Sequence, residues 1–253
     1  MTGTEKREKQ EMYVVKSNEL IQKARYDLTV QQQKLILFAI SKIRKNDSPE
    51  KVYELSIDEV CSVMGLEYDA GGTYYRRIKD DLLKLTNRLW VKFPDRESTV
   101  AWLGDADIIP LSGTVYIQFH KKMAPYLFEL VNRYTQYQLY EILALKGKYS
   151  IRLYEILRSY IMRDDQLDNE KEVSYSVDEL RELLCCESYK KWAEFERCVI
   201  KKAVDEINAC SDIIRVKYDT FKSGRNVVKI NFILTRPNIM EKFLAHEEQR
   251  KRL

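Results

Sequence analysis

Glycine and proline are scarce in this 253-residue chain, at 8 and 5 residues. A low-complexity disordered chain, or a fold built mainly from tight turns, needs far more of both. Histidine is scarcer still. His120 and His246 stand far apart, in no His-x-His or His-Glu-x-x-His pattern, so neither a metal centre nor a metal-dependent DNA-nicking site is expected. The five cysteines (61, 185, 186, 198 and 210) are odd in number, and adjacent Cys185 and Cys186 lack zinc-ligand spacing. They read as free thiols in a reducing cytoplasm, with Cys185 and Cys186 as helix residues, one inward and one semi-exposed. No apolar run approaches the roughly 18 residues of a membrane span, and residues 1–10 are polar and charged, unlike a signal peptide. A nucleotide-cradling loop is excluded as well: Ile142 stands five residues before Gly147-Lys148, and Tyr149 follows. No catalytic residue, cofactor or metal is therefore expected. A strong charge of one sign is also missing, since the net charge is only +4. Any case for an anionic partner has to rest on where the charges lie.

What is present is a core. Hydrophobic residues make up 45% of the chain and charged residues 32%, enough for one large domain or two ordinary ones. Thr29 followed by Gln32 forms a capping box that predicts a helix over about 30–44, ended by Asn46-Asp47-Ser48-Pro49. Then the chain repeats itself. Residues 53–60 read YELSIDEV and residues 173–180 read VSYSVDEL. In each, a short alternating strand runs into a serine that has Glu three positions on: strand, N-cap, helix. Each copy is followed by a long amphipathic segment, 74–89 and 191–209, and then by strands. The second hairpin, 213–221 against 227–234, turns at Ser223-Gly224-Arg225-Asn226; the first pairs 99–109 with 114–119 near Pro110–Gly113. Helical segments also precede the second copy, over 137–145 and 149–162.

That order, helix, strand, helix, long helix, hairpin, is a winged helix occurring twice. The expected fold class is α+β: two tandem winged-helix domains related by internal duplication. The expected division is a polar tail over 1–12, domain 1 over 13–134, domain 2 over 135–236 as the main DNA reader, and a charged tail over 237–253 that fits a helix or disorder equally.

The charge sits on the elements a winged helix turns toward DNA. Residues 74–92 hold six basic side chains against two acidic, 190–202 five against two, and 213–229 five against one. On the second long segment Trp192, Phe195, Val199, Ala203 and Ile207 form a stripe at helical spacing, with Lys190, Glu194, Arg197, Lys201 and Asn208 opposite. A charged face opposite an apolar stripe is often no more than a solvated face, but two such helices and a basic hairpin in repeated contexts point to DNA. The candidate DNA-binding residues are Arg76, Arg77, Lys84, Lys190, Lys191, Arg197, Lys201, Lys217, Lys222 and Arg225.

Three stretches then resemble a known family. VVKSNELIQKARYDLTVQQQKLILFAIS (14–41), YSIRLYEILRSY (149–160), and VDEIN (204–208) followed by a strand and a Lys222/Gly224/Arg225 turn are similar to the iteron-binding plasmid replication initiators (the RepA, RepE and pi group) over roughly 13–235. The resemblance implies a bacterial, cytoplasmic, non-enzymatic protein that binds repeated double-stranded sites (iterons) at a plasmid origin. One domain reads each half of an iteron, and an AT-rich segment is melted. The implied partners are host DnaA, the replicative helicase and chaperones. It further implies dimers, formed through the first domain, that repress the protein's own gene at an inverted repeat. Lys191, Arg197 and Lys201 match the family's DNA-contacting region, although Glu196 or Cys198 stands where relatives are commonly basic. Arg152 matches a position read as structural. The alternatives are a two-domain winged-helix repressor without an initiator role, and a nicking enzyme with a tyrosine nucleophile.

Overall fold

The computed structural model describes residues 12–67, 72–92, 95–109, 112–161, 167 and 170–253. The expected polar tail lies outside them except for Met12, as do Gly71 and Pro110 of the expected loops. The chain forms two compact units. Unit 1 takes residues up to Leu20 together with Leu28–Tyr140; unit 2 takes Ile21–Asp27 and Glu141–Leu253.

Unit 1 opens with β1 (Tyr13–Ser17) and the start of α1 (Asn18–Lys23), whose residues from Ile21 onward belong to unit 2; α2 (Val30–Ser41), β2 (Val52–Ser56), α3 (Ile57–Met64) and α4 (Thr73–Thr86) follow in unit 1. The expected capping boxes close both short-range helix starts. Thr29 accepts from the Gln32 amide, and Ser56 accepts from the Glu59 amide. Gly65, at φ 67°, ends α3 in the left-handed conformation that glycine adopts without penalty. Next come β3 (Leu89–Lys92), β4 (Glu97–Val100), β5 (Leu103–Ile109) and β6 (Thr114–Phe119). The sheet order is β2-β6-β5, antiparallel throughout, while β3 and β4 make a separate hairpin. The expected strand over 99–109 is thus two strands: Thr99 and Val100 end β4, and only Leu103–Ile109 pairs with β6. A short helix α5 (Ala124–Leu127) leads to β7 (Tyr134–Gln138), which returns to pair with β1. That pairing explains why unit 1 runs to Tyr140 and not to 134, and why helix α6 (Leu139–Leu143) begins only at Leu139.

Unit 2 contains α7 (Lys148–Arg158), β8 (Lys171–Ser176), α8 (Val177–Leu183) and α9 (Trp192–Phe195). A π turn (Glu196–Ile200) comes next, then α10 (Lys201–Cys210), β9 (Arg215–Ser223), β10 (Asn226–Thr235) and α11 (Ile239–Arg252). Its sheet order, β8-β10-β9, repeats that of unit 1, with the last strand central. Ser176 and Glu179 cap α8 as Ser56 and Glu59 cap α3. Both units are winged helices. The charged tail is neither separate nor irregular: α11 starts at its own capping box, Asn238 with Glu241, and packs on α10.

Residues 21–27 belong to unit 2 because Arg152 holds them there. Arg152 is 4% exposed on α7. Its Nη2 donates to the carbonyls of Ile21 (2.6 Å) and Ala24 (2.8 Å), and its guanidinium lies 4.6 Å over the Tyr26 ring. Gln22 donates to Ser159 at 2.9 Å, Arg25 pairs with Glu182 at 2.5 Å, and Lys148 pairs with Asp27 at 2.9 Å. Two positions on, Tyr154 donates to buried Glu141, so the Arg-Leu-Tyr-Glu segment is an internal brace. Arg152→Leu strands two buried carbonyls and should lower the unfolding free energy by about 2–4 kcal/mol. Chemical denaturation measures the loss, and hydrogen exchange should place it first over 21–27; an unchanged midpoint removes the clamp from the account.

Candidate nucleic-acid interface

In unit 2 the apolar stripe settles how the long helix lies. Phe195, Val199, Ile200, Ala203, Val204, Ile207 and Cys210 are all buried, so the face with Lys190, Lys191, Arg197, Lys201 and Lys202 is left in water. The stripe read at 3.6-residue spacing is present, with one departure. The π turn inserts a residue between Phe195 and Ile200 and shifts the phase of the helix beyond it. Lys202, which periodicity had left out of the site, is thereby exposed beside Lys201.

The turn ahead of this helix is braced by Arg181, which sequence reasoning missed. Arg181 donates to the Lys190 carbonyl (3.0 Å) and to Asp178 (3.1 Å), and stacks 5.1 Å over the Phe195 ring. The adjacent cysteines lie just past α8 and not in it. Cys185 sits at φ 50°, and the Cys186 amide closes the turn on the Arg181 carbonyl at 2.9 Å. Cys186 is buried and Cys185 half-buried. Burial, with Glu187 beside them, pushes these thiols up to about 12 and about 11. The shift favours the protonated thiol of both at neutral pH.

The wing comes after the helix. β9 and β10 turn at Gly224 and Arg225, with Gly224 at φ 61°, the left-handed first position of a two-residue hairpin turn. Lys217, Lys222, Arg225 and Lys229 are exposed along it. A bulge between Val227 and Lys229 interrupts the register. Helix and wing are tied by Asn208, which sequence spacing put on the solvated face. Its side chain accepts from the Val216 amide (2.7 Å) and donates to the Val216 carbonyl (2.8 Å). Glu196 accepts from the Tyr218 hydroxyl at 3.3 Å, so the acid at this position is turned to the sheet.

In unit 1, α4 buries Ile78, Leu82 and Leu85 and exposes Arg76, Arg77, Lys79 and Lys84, with Arg88 exposed just past its end. Asp81 is engaged by Gln32 at 2.9 Å. The hairpin differs in sign: β5 exposes Asp105 and Asp107 where β9 exposes cations. All ten residues singled out from the sequence are exposed, and among the described residues none of them forms an ion pair. Some cations elsewhere are paired, as in Lys42–Glu59 and Arg252–Glu206.

Similarity to known proteins agrees with the two winged-helix units. A family model described as Initiator Replication protein, WH1, matches residues 13–158, and one described as Initiator Rep protein, WH2, matches residues 176–234. The chain belongs to the initiator replication protein family. An Escherichia coli replication initiation protein is 23% identical over 208 residues, covering 80% of this chain and 64% of that relative. An Escherichia coli PI protein is 27% identical over 177 residues, covering 60% of this chain and 55% of the relative. The chain thus spans under two thirds of the length of these curated relatives. A crystal structure of Pi initiator protein in complex with iteron DNA superposes with TM-score 0.72 at 19% identity, over 90% of this chain and 99% of that one. At that identity the superposition speaks for the fold: two winged helices. Among the described residues no helix is long and apolar enough to cross a membrane.

The Asn208 brace is testable. Asn208→Ala leaves both polar groups of a buried backbone position unpartnered and should cost about 1–3 kcal/mol. Urea unfolding of the full chain reads this directly, and an unaltered transition would mean that the wing is held by its strands alone.

Proposed function

We propose that this chain is a plasmid replication initiator that binds repeated double-stranded DNA sites, the iterons of an origin, through its two winged helices. The observation that carries the reading is the set of ten exposed, unpaired cations on the two long helices and the second wing. Unit 2 is the main reader, since its helix and wing are both basic, whereas the unit 1 hairpin presents carboxylates. Arg197 and Lys201 face base edges, and Lys217, Lys222 and Arg225 face phosphates. Binding promotes melting of the origin and recruits host DnaA, the replicative helicase and chaperones. Dimers formed through unit 1 repress the chain's own gene at an inverted repeat. The protein acts in the cytoplasm by binding, without breaking a DNA bond.

Footprinting the full chain on the DNA flanking its gene tests this. Protection should fall on repeated sites, each about two helical turns long. Arg197→Ala or Lys201→Ala should cost about 1–3 kcal/mol and relax preference at one base pair. Lys222→Ala should weaken all sequences alike and reduce the slope of log affinity against log salt by about 1. A normal footprint from the Arg197→Ala/Lys201→Ala double variant would overturn the assignment of the reading helix. Nicked or protein-linked product from supercoiled origin DNA and a metal ion would overturn the non-enzymatic reading.

A further inference from the structure

The reading helix of unit 2 starts without the device that starts its neighbours. Helices α2, α3, α8 and α11 each open on a capping box: Thr29 with Gln32, Ser56 with Glu59, Ser176 with Glu179, and Asn238 with Glu241. At the reading helix the N-cap is Lys191, whose side chain makes no cap bond. What grips this end is Arg181, in the last turn of α8. Its Nη1 donates to Asp178 at 3.1 Å and its Nη2 to the Lys190 carbonyl at 3.0 Å. Its guanidinium lies 5.1 Å over the ring of buried Phe195, which in turn meets the Trp192 ring edge-on at 6.0 Å. The Arg181 carbonyl accepts from the Cys186 amide at 2.9 Å, so one residue both closes the end of α8 and holds the start of the reading helix. The Arg181 side chain is only 15% exposed and both its terminal nitrogens are engaged, so it offers little to a phosphate itself.

The far end of the same helix is tied by Asn208 to Val216. Between Trp192 and Asn208 the helix is about 24 Å long. A swing of about 10° about the Asn208 end carries Lys191 through about 4 Å and Arg197 through about 3 Å, against the roughly 3.4 Å between successive base pairs. Base-edge hydrogen bonds fail under such a shift, because a reading side chain has to be held within about 0.5 Å of its productive place. Attraction to phosphates survives it, since the field of an exposed charge reaches about 8 Å at physiological ionic strength. Arg181 therefore bears on which sequence is bound more than on whether DNA is bound. We propose that Arg181 is a positioning residue for sequence reading: it fixes the angle of the reading helix on α8 so that Arg197 and Lys201 meet base edges in register, an assignment that rests on unit 2 being a reader of duplex DNA. A lysine cannot take its place. An ammonium group keeps the charge but has no planar fork to hold a carbonyl and a carboxylate while it stacks on a ring.

The test measures the affinity of the full chain, by fluorescence anisotropy at one fixed salt concentration, for two duplexes of equal length: the site protected in the footprint and a scrambled sequence. Arg181→Lys should bind the site about tenfold more weakly, a change of about 1.4 kcal/mol, and the scrambled duplex within about twofold of the parent. With the three tryptophans replaced by 5-fluorotryptophan, the fluorine resonance of Trp192 should move in Arg181→Lys while the other two stay in place, which shows a folded chain with a local change. Asp178→Ala, at an exposed position, loosens the same fork without touching Arg181, and should lower discrimination in the same direction by about threefold; it decides the matter if Arg181→Lys does not fold. Equal losses on both duplexes, a loss confined to the scrambled duplex, or full discrimination in a variant whose Trp192 resonance has moved would each overturn the proposal. A parent chain that binds both duplexes alike has a different meaning: it removes sequence reading by unit 2, and this role with it, before any variant is measured.

Discussion

The outward direction of the unit 2 cations is a consequence of what the same helix buries. Phe195, Val199, Ile200 and Ile207 are each at most 1% exposed. Burying one such side chain stabilises by about 1.5–3 kcal/mol, whereas a surface lysine or arginine that folds back onto a carboxylate gains about 0–1 kcal/mol. The rotation of the helix is therefore decided by its apolar side, and no gain from local pairing is large enough to turn Arg197 or Lys201 inward. The π turn acts within the same constraint. By adding a residue to the helix it brings Ile200 into the core with Val199, and the basic side widens to include Lys202.

The two units share a frame but not a surface. Their strand orders, β2-β6-β5 and β8-β10-β9, and their serine capping boxes are the same, because both must pack two helices on one face of a small sheet. Outside that frame they have diverged. Unit 1 carries an inserted hairpin, β3 with β4, and its sheet hairpin presents Asp105 and Asp107. Unit 2 carries Lys217, Lys222, Arg225 and Lys229 on the matching ribbon. A carboxylate on a wing repels the phosphate that a lysine attracts, so the shared fold does not oblige both wings to meet DNA in one way.

What was legible in the sequence was what short-range chemistry specifies. Capping boxes at Thr29, Ser56 and Ser176, the period of the buried stripe, and the Gly224 turn each depend on a few neighbouring residues, and each is in place. Features that join distant residues were not. The return of β7 to β1 couples Tyr13 to Gln138 and Ser17 to Tyr134, and it moved the edge of unit 1 to Tyr140. Residues 21–27 belong with unit 2 because of Arg152, about 130 positions later. Asn208 sits at a solvated spacing yet closes on Val216, since a strand comes to meet it. The C-terminal helix is a different case: its signal, Asn238 followed by Glu241, is the same capping box read three times elsewhere. Its charged composition masked it.

The small net charge of +4 says little about this surface, for a reason of distance. At physiological ionic strength the field of an exposed charge is screened over about 8 Å. A phosphate near the wing therefore responds to Lys217, Lys222, Arg225 and Lys229, and hardly at all to charges more than a screening length away. Many of the chain's remaining cations are also spent internally. Arg152 is buried on two carbonyls and a tyrosine ring, and Arg252 and Arg215 are engaged by Glu206 and Glu241. A cation whose donors are already taken offers a phosphate less than one whose donors face water. The whole-chain sum counts both kinds equally, and with the acids it balances nearly to zero, while the exposed cations on the long helix and wing of unit 2 set the local potential there.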